Sequence, residues 1–385
     1  MEIEIGIGKT GRRAYGFDEV AIVPSRRTRD PDDVDISWEI DAWTFSLPMM
    51  AAAMDGVVSP ATAAEIGRLG GLAVLNLEGL WTRYEDPEPV FDEIASLTDE
   101  KATARMQELY REPIKEELIG RRIRQIKEDG AVAAASLTPQ RVRDYADLAL
   151  KAELDVLVIQ GTVVSAEHVS TRTEPLNLKQ FISTFDLPVI VGGCASYQTA
   201  LHLMRTGAVG VLVGVGPGAA CTTRGVLGVG VPQATAIADA AGARMEHLRE
   251  TGRYVHVIAD GGMRTGGDIA KAVACGADAV MIGSPLAKAY EAPGRGTHWG
   301  MATFHPDLPR GARVATKRIG SLEEILVGPA HENDGTLNLF GALRTSMATT
   351  GYATIKEFQK AEVIVAPAIK TEGKALQAAQ RVGAQ

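Results

Sequence analysis

The sequence predicts a single α/β domain folded as a (β/α)₈ barrel, the TIM barrel architecture, from three observations. Eight short apolar runs recur along the chain, helix-like segments separate them, and chemically reactive residues directly follow several of the runs. Strands that alternate with helices form parallel βα units, and apolar runs without alternation are typical of strands buried on both faces. Eight such units are the number that a closed barrel requires. A doubly wound open sheet is the alternative, because periodicity alone does not prove closure.

The eight predicted strands each end on a small or polar residue. In chain order they read FSLPMMAAAM (45–54), GGLAVLN (70–76), AVAAAS (131–136), DVLVIQ (155–160), PVIVGG (188–193), VGVLVG (209–214), YVHVIAD (254–260) and DAVMIG (278–283). The helix-like segments between them include 138–153, 196–207, 232–250 and 266–276. In a barrel the chemistry lies where strands meet the loops that follow them. We therefore expect the residues after these strands to meet at one end, namely Met54, Asp55, Cys221, Asp260, Gly283 and Ser284.

Two segments interrupt the alternation, and we interpret neither as a separate domain. Residues 77–130 are too long for one βα connection, and their charged, helical-looking sequence predicts a helical excursion on the barrel between strands 2 and 3. Residues 285–335 are irregular and predict a flap over the active site, with an ordinary surface loop as the alternative. The whole chain, 1–385, is thus predicted to be one barrel domain.

Composition argues against several classes of protein. The formal net charge is −8 and no dense Lys/Arg block occurs, which argues against a nucleic-acid partner. Three cysteines cannot form a disulfide framework, the N-terminus does not resemble a signal peptide, and no apolar run approaches the length of a membrane span. We therefore expect a cytoplasmic protein without a membrane partner. The seven histidines show no metal-binding spacing, so no catalytic transition metal is expected.

The run GVGPGAACTTRGVLGVG (214–230) places Cys221 among glycines, which allow backbone to approach a ligand closely. A free cysteine is usually a small buried hydrophobe, and Cys275, inside a predicted amphipathic helix, fits that interpretation. Cys221 does not fit it, because its neighbours are Gly, Ala and Thr in a predicted loop. The positive charge of Arg224 would also favour a thiolate. We therefore predict that Cys221 is a nucleophile.

The last two predicted strands end in DGG (260–262) and IGS (282–284). In a barrel these two loops commonly build a phosphate site from backbone N–H groups. Ordinary tight turns are the alternative. The carboxylate of Asp260 suits a pair of ribose hydroxyls, with a helix-capping aspartate as the alternative. The two loops together therefore predict a nucleotide site.

Four segments resemble the IMP dehydrogenase / GMP reductase family of purine nucleotide oxidoreductases. They are GFDEVAIVPS (16–25), PMMAAAMDGV (48–57), GVGPGAACTTRGVLGVGVPQATAI (214–237) and VIADGGMRTGGDIAKAVACGADAVMIGSPLAKAYEAPG (257–294). The last two are long and specific. The resemblance implies a homotetramer of (β/α)₈ barrels that binds IMP or GMP together with NAD or NADP. Most IMP dehydrogenases carry tandem CBS domains between strands 2 and 3, and residues 77–130 are too short for them. The chain therefore resembles a divergent, IMP-dehydrogenase-related branch without CBS domains.

The resemblance also implies a role for individual residues. Cys221 would attack carbon 2 of the purine, and Thr223 and Glu291 match the pair that handles proton transfer. For the nucleotide the matching residues are Met54, Asp260, Gly262, Gly283, Ser284 and Met301. For the nicotinamide cofactor they are Gln160, Gly161 and Gly214. The carbonyls of Gly216, Gly218 and Cys221 match a potassium site, although the C-terminal segment expected to complete it reads TEGKALQ here.

Departures from the family pattern leave the direction of reaction open. Three positions carry unusual residues: Ala219 replaces the usual serine, Cys194 the usual asparagine and Gln160 the usual aspartate. No Arg-Tyr pair follows WGM, and Arg310 and Arg313 are the nearest candidates for its role. The segment GSPLAKAYEAPG favours an IMP dehydrogenase, which converts IMP, NAD⁺ and water to XMP and NADH. The missing CBS domains and Arg-Tyr pair favour a GMP reductase, which converts GMP and NADPH to IMP and ammonia. The substituted positions favour a third alternative, a catalytically silent purine-nucleotide-binding protein.

Overall fold

The structure, a computed structural model, describes residues 2–169, 171, 175–300, 304–369, 371–380 and 382–383. Eight parallel strands close into a barrel, so the predicted (β/α)₈ fold is confirmed and the open-sheet alternative is wrong. Closure occurs where residues 280–282 of the last strand pair with residues 49–51 of the first. We number the barrel strands 1 to 8 in chain order: Met49–Ala51, Leu72–Asn76, Ala134–Leu137, Val156–Gln160, Val189–Cys194, Gly210–Val213, His256–Asp260 and Ala279–Ile282.

Helices surround the barrel, and several begin at a side chain that caps them. Ser59, Ser196 and Thr265 each accept a backbone N–H of the first turn of the helix that follows. The α-helices are α1 (Pro60–Arg68), α2 (Glu88–Ser96), α3 (Asp99–Leu109), α4 (Glu116–Glu128), α5 (Val142–Lys151), α6 (Leu178–Ile182), α7 (Tyr197–Met204), α8 (Thr223–Leu227), α9 (Gln233–Thr251), α10 (Gly266–Ala274), α11 (Leu322–Leu326), α12 (Leu339–Thr349), α13 (Ile355–Phe358) and α14 (Ala375–Gln380).

Four small antiparallel pairs of strands lie outside the barrel: Glu2–Gly6 with Lys9–Arg12, Val20–Ile22 with Val363–Val365, Trp38–Ile40 with Trp43–Phe45, and Thr297–His298 with Val314–Ala315. Short 3-10 turns cover Phe17–Glu19, Pro31–Asp33, Leu80–Thr82 and Leu286–Lys288. None of the described helices combines the length and the apolar character that crossing a bilayer requires.

Successive side chains along each barrel strand point inward and outward in turn, which produces two apolar layers. Inward residues such as Met50, Val158 and Ile258 form one buried cluster inside the barrel, whereas outward residues pack against the helices. Trp38, from the hairpin at 38–45, joins the inner cluster and donates through Nε1 to His256 Nδ1 at 3.2 Å. His256 is the first residue of strand 7, so this hairpin closes the end of the barrel where strands begin. The opposite end remains available for a ligand.

The excursion, residues 77–130, contains α2, α3 and α4. Helix α4 packs against α1 and α5, and therefore occupies the position of the ring helix between strands 2 and 3. Helices α2 and α3 contact each other as an addition to the ring. Residues 77–130 therefore place three helices between strands 2 and 3.

The first predicted strand and the predicted helix 138–153 begin four residues later in the structure, at 49 rather than 45 and at 142 rather than 138. The first strand is Met49–Ala51 rather than 45–54, because residues 43–45 pair with 38–40 in the hairpin. The predicted helix 138–153 begins only at Val142, and residues 138–141 form a turn in which Val142 N–H donates to the carbonyl of Thr138 at 2.9 Å. The predicted flap, 285–335, contains ordered elements within its described residues, including α11.

Candidate active site

A cavity of about 810 Å³ opens where the barrel strands end, and its volume is typical of a small-molecule site. Most of the predicted site residues line it: Met54, Gln160, Gly161, Gly214, Gly216, Gly218, Cys221, Thr223, Asp260, Gly262, Gly283 and Ser284. Met301 lies outside the described residues. Another cavity, of about 760 Å³, lies at the opposite end, near the starts of strands 5 to 7, and none of the predicted site residues line it.

Cys221 lies half-buried in the wall of the cavity, in the loop between strand 6 and α8. Its Sγ donates a hydrogen bond to Oγ1 of Thr223 at 3.2 Å, and Thr223 is fully buried at the start of α8. The loop is fixed at its origin, because Gly214 N–H donates to the carbonyl of Cys194 at 2.8 Å. A side chain at position 214 would lie 2.1 Å from the carbonyl oxygen of Asp260, so only glycine fits there.

The other two cysteines are removed from this chemistry. Burial raises the pKa of Cys194 to about 12 and that of Cys275 to about 11, which keeps both as neutral thiols at physiological pH. Neither lines the cavity described above. The position expected to hold an asparagine is therefore a buried thiol in strand 5, whose Sγ donates to the carbonyl of Leu212 at 3.5 Å.

The loops after strands 7 and 8 present unpaired backbone donors to the cavity. The amides of Gly262, Gly283 and Ser284 donate to no other group in the described part of the chain. Gly262 has a φ of +83°, which favours glycine. A Cβ at Gly283 would lie 2.5 Å from Sδ of Met54. We call these three amides the amide cradle; neighbouring unpaired backbone N–H groups can bind anions such as phosphate.

Asp260 ends strand 7 next to the amide cradle. Burial raises the pKa of its carboxyl group to about 7, and a hydrogen bond from Gln160 Nε2 to Oδ2, 3.3 Å long, lowers the pKa in opposition. Gln160 Oε1 is buried without a hydrogen-bond partner. The backbone is fixed separately, because Gln233 Nε2 donates to the carbonyl oxygen of Asp260 at 3.0 Å. Gln160, predicted to contact the cofactor, therefore contacts the predicted ribose-binding carboxylate.

Glu291 does not lie in this cavity. Its exposed carboxylate accepts the backbone N–H of Leu322 at 3.1 and 3.2 Å, at the start of α11. Carboxylates are favoured at helix N-termini, which explains the position. The structure therefore does not bring Glu291 to Thr223, and its assignment to proton transfer stays a prediction.

The two arginines named as candidates for water activation occupy different environments. Arg310 lines the cavity, and its Nε is buried without a hydrogen-bond partner. Arg313 forms an ion pair with Asp99 at 2.7 Å and donates to the carbonyl of Ile94 at 3.2 Å. Only Arg310 of this pair lies at the site.

Sequence reasoning missed polar residues at the ends of strands 2 and 3. Glu78, Thr138 and Gln140 line the cavity. Glu78 Oε1 accepts the amide of Thr138 at 2.5 Å, which joins the two loops. Their positions directly after apolar strands were a usable signal, but the helix prediction for 138–153 obscured the loop.

Asp55 was expected among the site residues, yet it turns away from the cavity. Its Oδ2 accepts from Leu80 N–H at 3.1 Å and from the hydroxyl of Tyr110. Burial raises the pKa of its carboxyl group to about 6. The carboxylate therefore joins strand 1 to the excursion. Among the described residues, no group of three or more His, Cys, Asp or Glu side chains is arranged to hold a metal ion.

Comparisons with known proteins agree with the resemblance seen in the sequence. The IMP dehydrogenase / GMP reductase domain matches residues 14–305, and the match contains no CBS domain. An uncharacterized oxidoreductase of Mycolicibacterium smegmatis is 50% identical over 372 residues, covering 94% of this chain and 99% of the relative. Inosine-5'-monophosphate dehydrogenase of Methanocaldococcus jannaschii is 26% identical over 487 residues, covering 94% of each protein.

A solved structure is similar throughout its length. The crystal structure of an IMP dehydrogenase/GMP reductase-like protein from Corynebacterium glutamicum superposes with a TM-score of 0.90 at 47% identity, covering 94% of this chain and 97% of that chain. The closed barrel and the domain match lead to one conclusion. The chain belongs to the IMP dehydrogenase / GMP reductase family.

Proposed function

We propose that the protein is a purine nucleotide oxidoreductase that converts IMP, NAD⁺ and water to XMP, NADH and a proton through a covalent bond to Cys221. The observation that carries this proposal is the half-buried Sγ of Cys221, paired with Thr223 Oγ1 at 3.2 Å, in a cavity that also contains the amide cradle. A nucleophile and an anion site in one cavity fit a phosphate-bearing substrate with an electrophilic ring.

The nucleotide would be held at its phosphate and its ribose. The amide cradle offers three unpaired N–H donors to the phosphate, and Asp260 offers carboxylate oxygens to ribose hydroxyls. Because hydrogen bonds to a charged carboxylate are stronger than those to a neutral acid, ribose binding strengthens as Asp260 ionises. The purine is thereby directed toward Cys221, whose Sγ forms a bond to carbon 2.

Thr223 positions the thiol of the nucleophile. Its Oγ1 accepts a hydrogen bond from Sγ of Cys221. Thr223 is completely buried, which restricts this hydroxyl to one position. After hydride has left carbon 2, water attacks the same carbon, and Sγ departs to regenerate the cysteine. This second half needs a group that orients water beside Cys221.

Arg310 is the group best placed to orient that water. Its carbonyl accepts the amide of Thr222 at 3.0 Å, which fixes its backbone next to Cys221, and its side chain lines the cavity. A guanidinium whose buried Nε is unpaired can donate to a water molecule. This arrangement supports the hydrolytic direction in a chain that lacks the family's Arg-Tyr pair.

The nicotinamide cofactor would lie beside the nucleotide in the same cavity. Gln160, Gly161 and Gly214 would hold it, and the buried, unpartnered Oε1 of Gln160 is an acceptor suited to a carboxamide. Neighbouring Thr138 and Gln140 add neutral polar groups. When bound, NAD⁺ supplies the acceptor for the hydride from carbon 2. We propose NAD⁺ as this acceptor, with NADP⁺ as the alternative.

Potassium and a homotetramer complete the proposal. The carbonyls of Gly216 and Cys221 accept no hydrogen bond within the described residues, so their oxygens are available to a monovalent cation. The carbonyl of Gly218 already accepts the amide of Cys221 at 3.0 Å. Faster turnover in potassium than in sodium chloride would support this site. Sedimentation would establish the number of subunits.

GMP reduction is the second candidate. It would use the same cysteine, amide cradle and cofactor-binding residues but needs no attacking water. The missing Arg-Tyr pair favours it, because that pair would activate the water in the hydrolytic direction. A silent nucleotide-binding protein is the third candidate and requires only the cradle and Asp260.

One set of assays separates the three candidates. Each of IMP and GMP is combined with NAD⁺, NADP⁺, NADH and NADPH, and absorbance at 340 nm is followed alongside product chromatography. We expect NADH and XMP from IMP with NAD⁺. Consumption of NADPH with GMP would establish the reductase, and a nucleotide-induced rise in melting temperature without turnover would establish the silent protein. Cys221→Ala should abolish turnover and retain nucleotide binding; turnover in that variant would refute the covalent route.

A further inference from the structure

Residues 304–315, which we call the strap, contact the loop that carries the nucleophile. Thr222 N–H donates to the carbonyl of Arg310 at 3.0 Å, and Ala312 N–H donates to the carbonyl of Ala220 at 2.8 Å. Between these bonds Cys221 and Gly311 form an antiparallel bridge. The backbone of Cys221 is therefore held on one side by the strap.

The other side of the strap contacts the excursion. Gln107, in α3, donates through Nε2 to the carbonyl of His305 at 2.8 Å. The ring of Tyr110, directly after α3, stacks on Phe304 with centroids 3.9 Å apart and planes 6° from parallel. Both Phe304 and His305 line the cavity. The strap thus lies between the excursion and the cysteine.

Arg313 makes the charged contact in this arrangement. Its side chain is 7% exposed and pairs with Asp99, the first residue of α3, which is 91% exposed. A second guanidinium nitrogen donates to the carbonyl of Ile94, just before the end of α2. Burial of a charge is unfavourable unless the charge is paired, so loss of Asp99 would favour states in which Arg313 reaches water. Those states require the strap to leave the excursion.

We propose that Arg313 is a positioning residue that ties the strap to α2 and α3 and thereby fixes Cys221 and the carbonyl of Arg310. The excursion then sets the accessibility of the nucleophile through the strap, without contacting it. This proposal rests on the proposed function in one respect, the assignment of Cys221 as the nucleophile. Its test reads the thiol directly and needs neither nucleotide nor cofactor.

The test measures the alkylation rate of each cysteine in the full-length protein by iodoacetamide, using peptide mass spectrometry. Asp99→Asn and Arg313→Met should each accelerate modification of Cys221 about fivefold or more, because the opened population rises as the contact is lost. Arg313→Lys keeps the positive charge but lacks the bidentate guanidinium donor. Its Cys221 alkylation rate should lie between those of Arg313→Met and the unaltered protein. Cys194 and Cys275 are internal references and should remain slow.

The matched control is Arg121→Met, which removes an exposed ion pair with Glu85 at 3.4 Å in the same excursion, away from the strap. Its Cys221 rate should equal that of the unaltered protein. An unchanged rate in Asp99→Asn and Arg313→Met overturns the proposal, as does equal acceleration of all three cysteines, which reports general loosening. If Arg313→Met fails to fold, Asp99→Asn decides, because it changes an exposed side chain. Selective acceleration without turnover of any substrate would retain this proposal and refute the proposed function.

Discussion

Replacing Gln160 with methionine tests how the site controls its carboxylate. The Nε2 of Gln160 donates to Asp260 Oδ2 at 3.3 Å, and burial raises the pKa of Asp260 to about 7. A hydrogen bond to a charged group contributes about 1.5–3 kcal/mol, and the length of this one suggests the low end. About 1.4 kcal/mol corresponds to one pH unit, so the midpoint should move from about 7 to about 8.

The predicted result is a loss of nucleotide affinity that depends on pH. At pH 7 the ionised share of Asp260 should fall from about half to about a tenth, which weakens ribose binding about fivefold. At pH 9.5 both proteins are ionised and should bind equally, because affinity rises with pH as this carboxyl group loses its proton. Titration calorimetry with IMP from pH 6 to 9.5 provides the affinities. The ratio of the dissociation constants of the two proteins at each pH cancels the effect of the nucleotide's own titration.

Two further variants make the result decisive. Gln180→Met changes an exposed glutamine in α6 and should leave the pH profile unaltered. Asp260→Asn should bind weakly with no midpoint near pH 7. The reasoning is refuted if Gln160→Met retains the midpoint of the unaltered protein, or if its affinity falls by the same factor at every pH.

Three other substitutions test the cradle, the nucleophile and the excursion. Gly283→Ala places a Cβ 2.5 Å from the sulfur of Met54 and should weaken IMP binding about tenfold, because the side chain of Met54, which also lines the cavity, must move; an unchanged dissociation constant would contradict the assignment. Thr223→Val should lower kcat about 100-fold while nucleotide affinity persists, and unaltered turnover would remove the hydroxyl from the mechanism. Tyr110→Phe removes the hydrogen bond to Asp55 and the acceptor of Trp299 Nε1, and should reduce the free energy of unfolding by about 1–3 kcal/mol in urea titrations; equal midpoints with equal slopes would refute the role of this hydroxyl.

Much of the barrel follows from local sequence. Runs such as 155–160 and 254–260 are apolar without alternation because strands in a closed parallel sheet are covered on both faces. Glycines at 262 and 283 follow from the need for positive φ or close approach at the strand ends. Because parallel strands all point the same way, the residues after them meet at one end. The cavity that contains Cys221 and Asp260 was predictable for that reason.

The first strand was only partly predictable. Residues 45–54 read as one apolar stretch, and the structure divides them between a hairpin and strand 1. The hairpin closes the bottom of the barrel, where its Trp38 meets His256 from a strand more than 200 residues later. Local propensity cannot distinguish a barrel strand from an apolar plug that packs on it.

The barrel, the nucleophile candidate and the loops that carry phosphate donors could be predicted from local sequence, because each depends on residue type and on position relative to a strand end. Which polar groups meet depends instead on the folded arrangement of distant segments. In the structure Gln160 contacts Asp260, and Glu291 lies at the start of a helix. Arg313 pairs with the carboxylate of Asp99 in α3, whereas Arg310 lines the cavity. Such pairings depend on contacts between segments remote in sequence, where a few ångströms determine whether a charge is paired, exposed or available to a ligand.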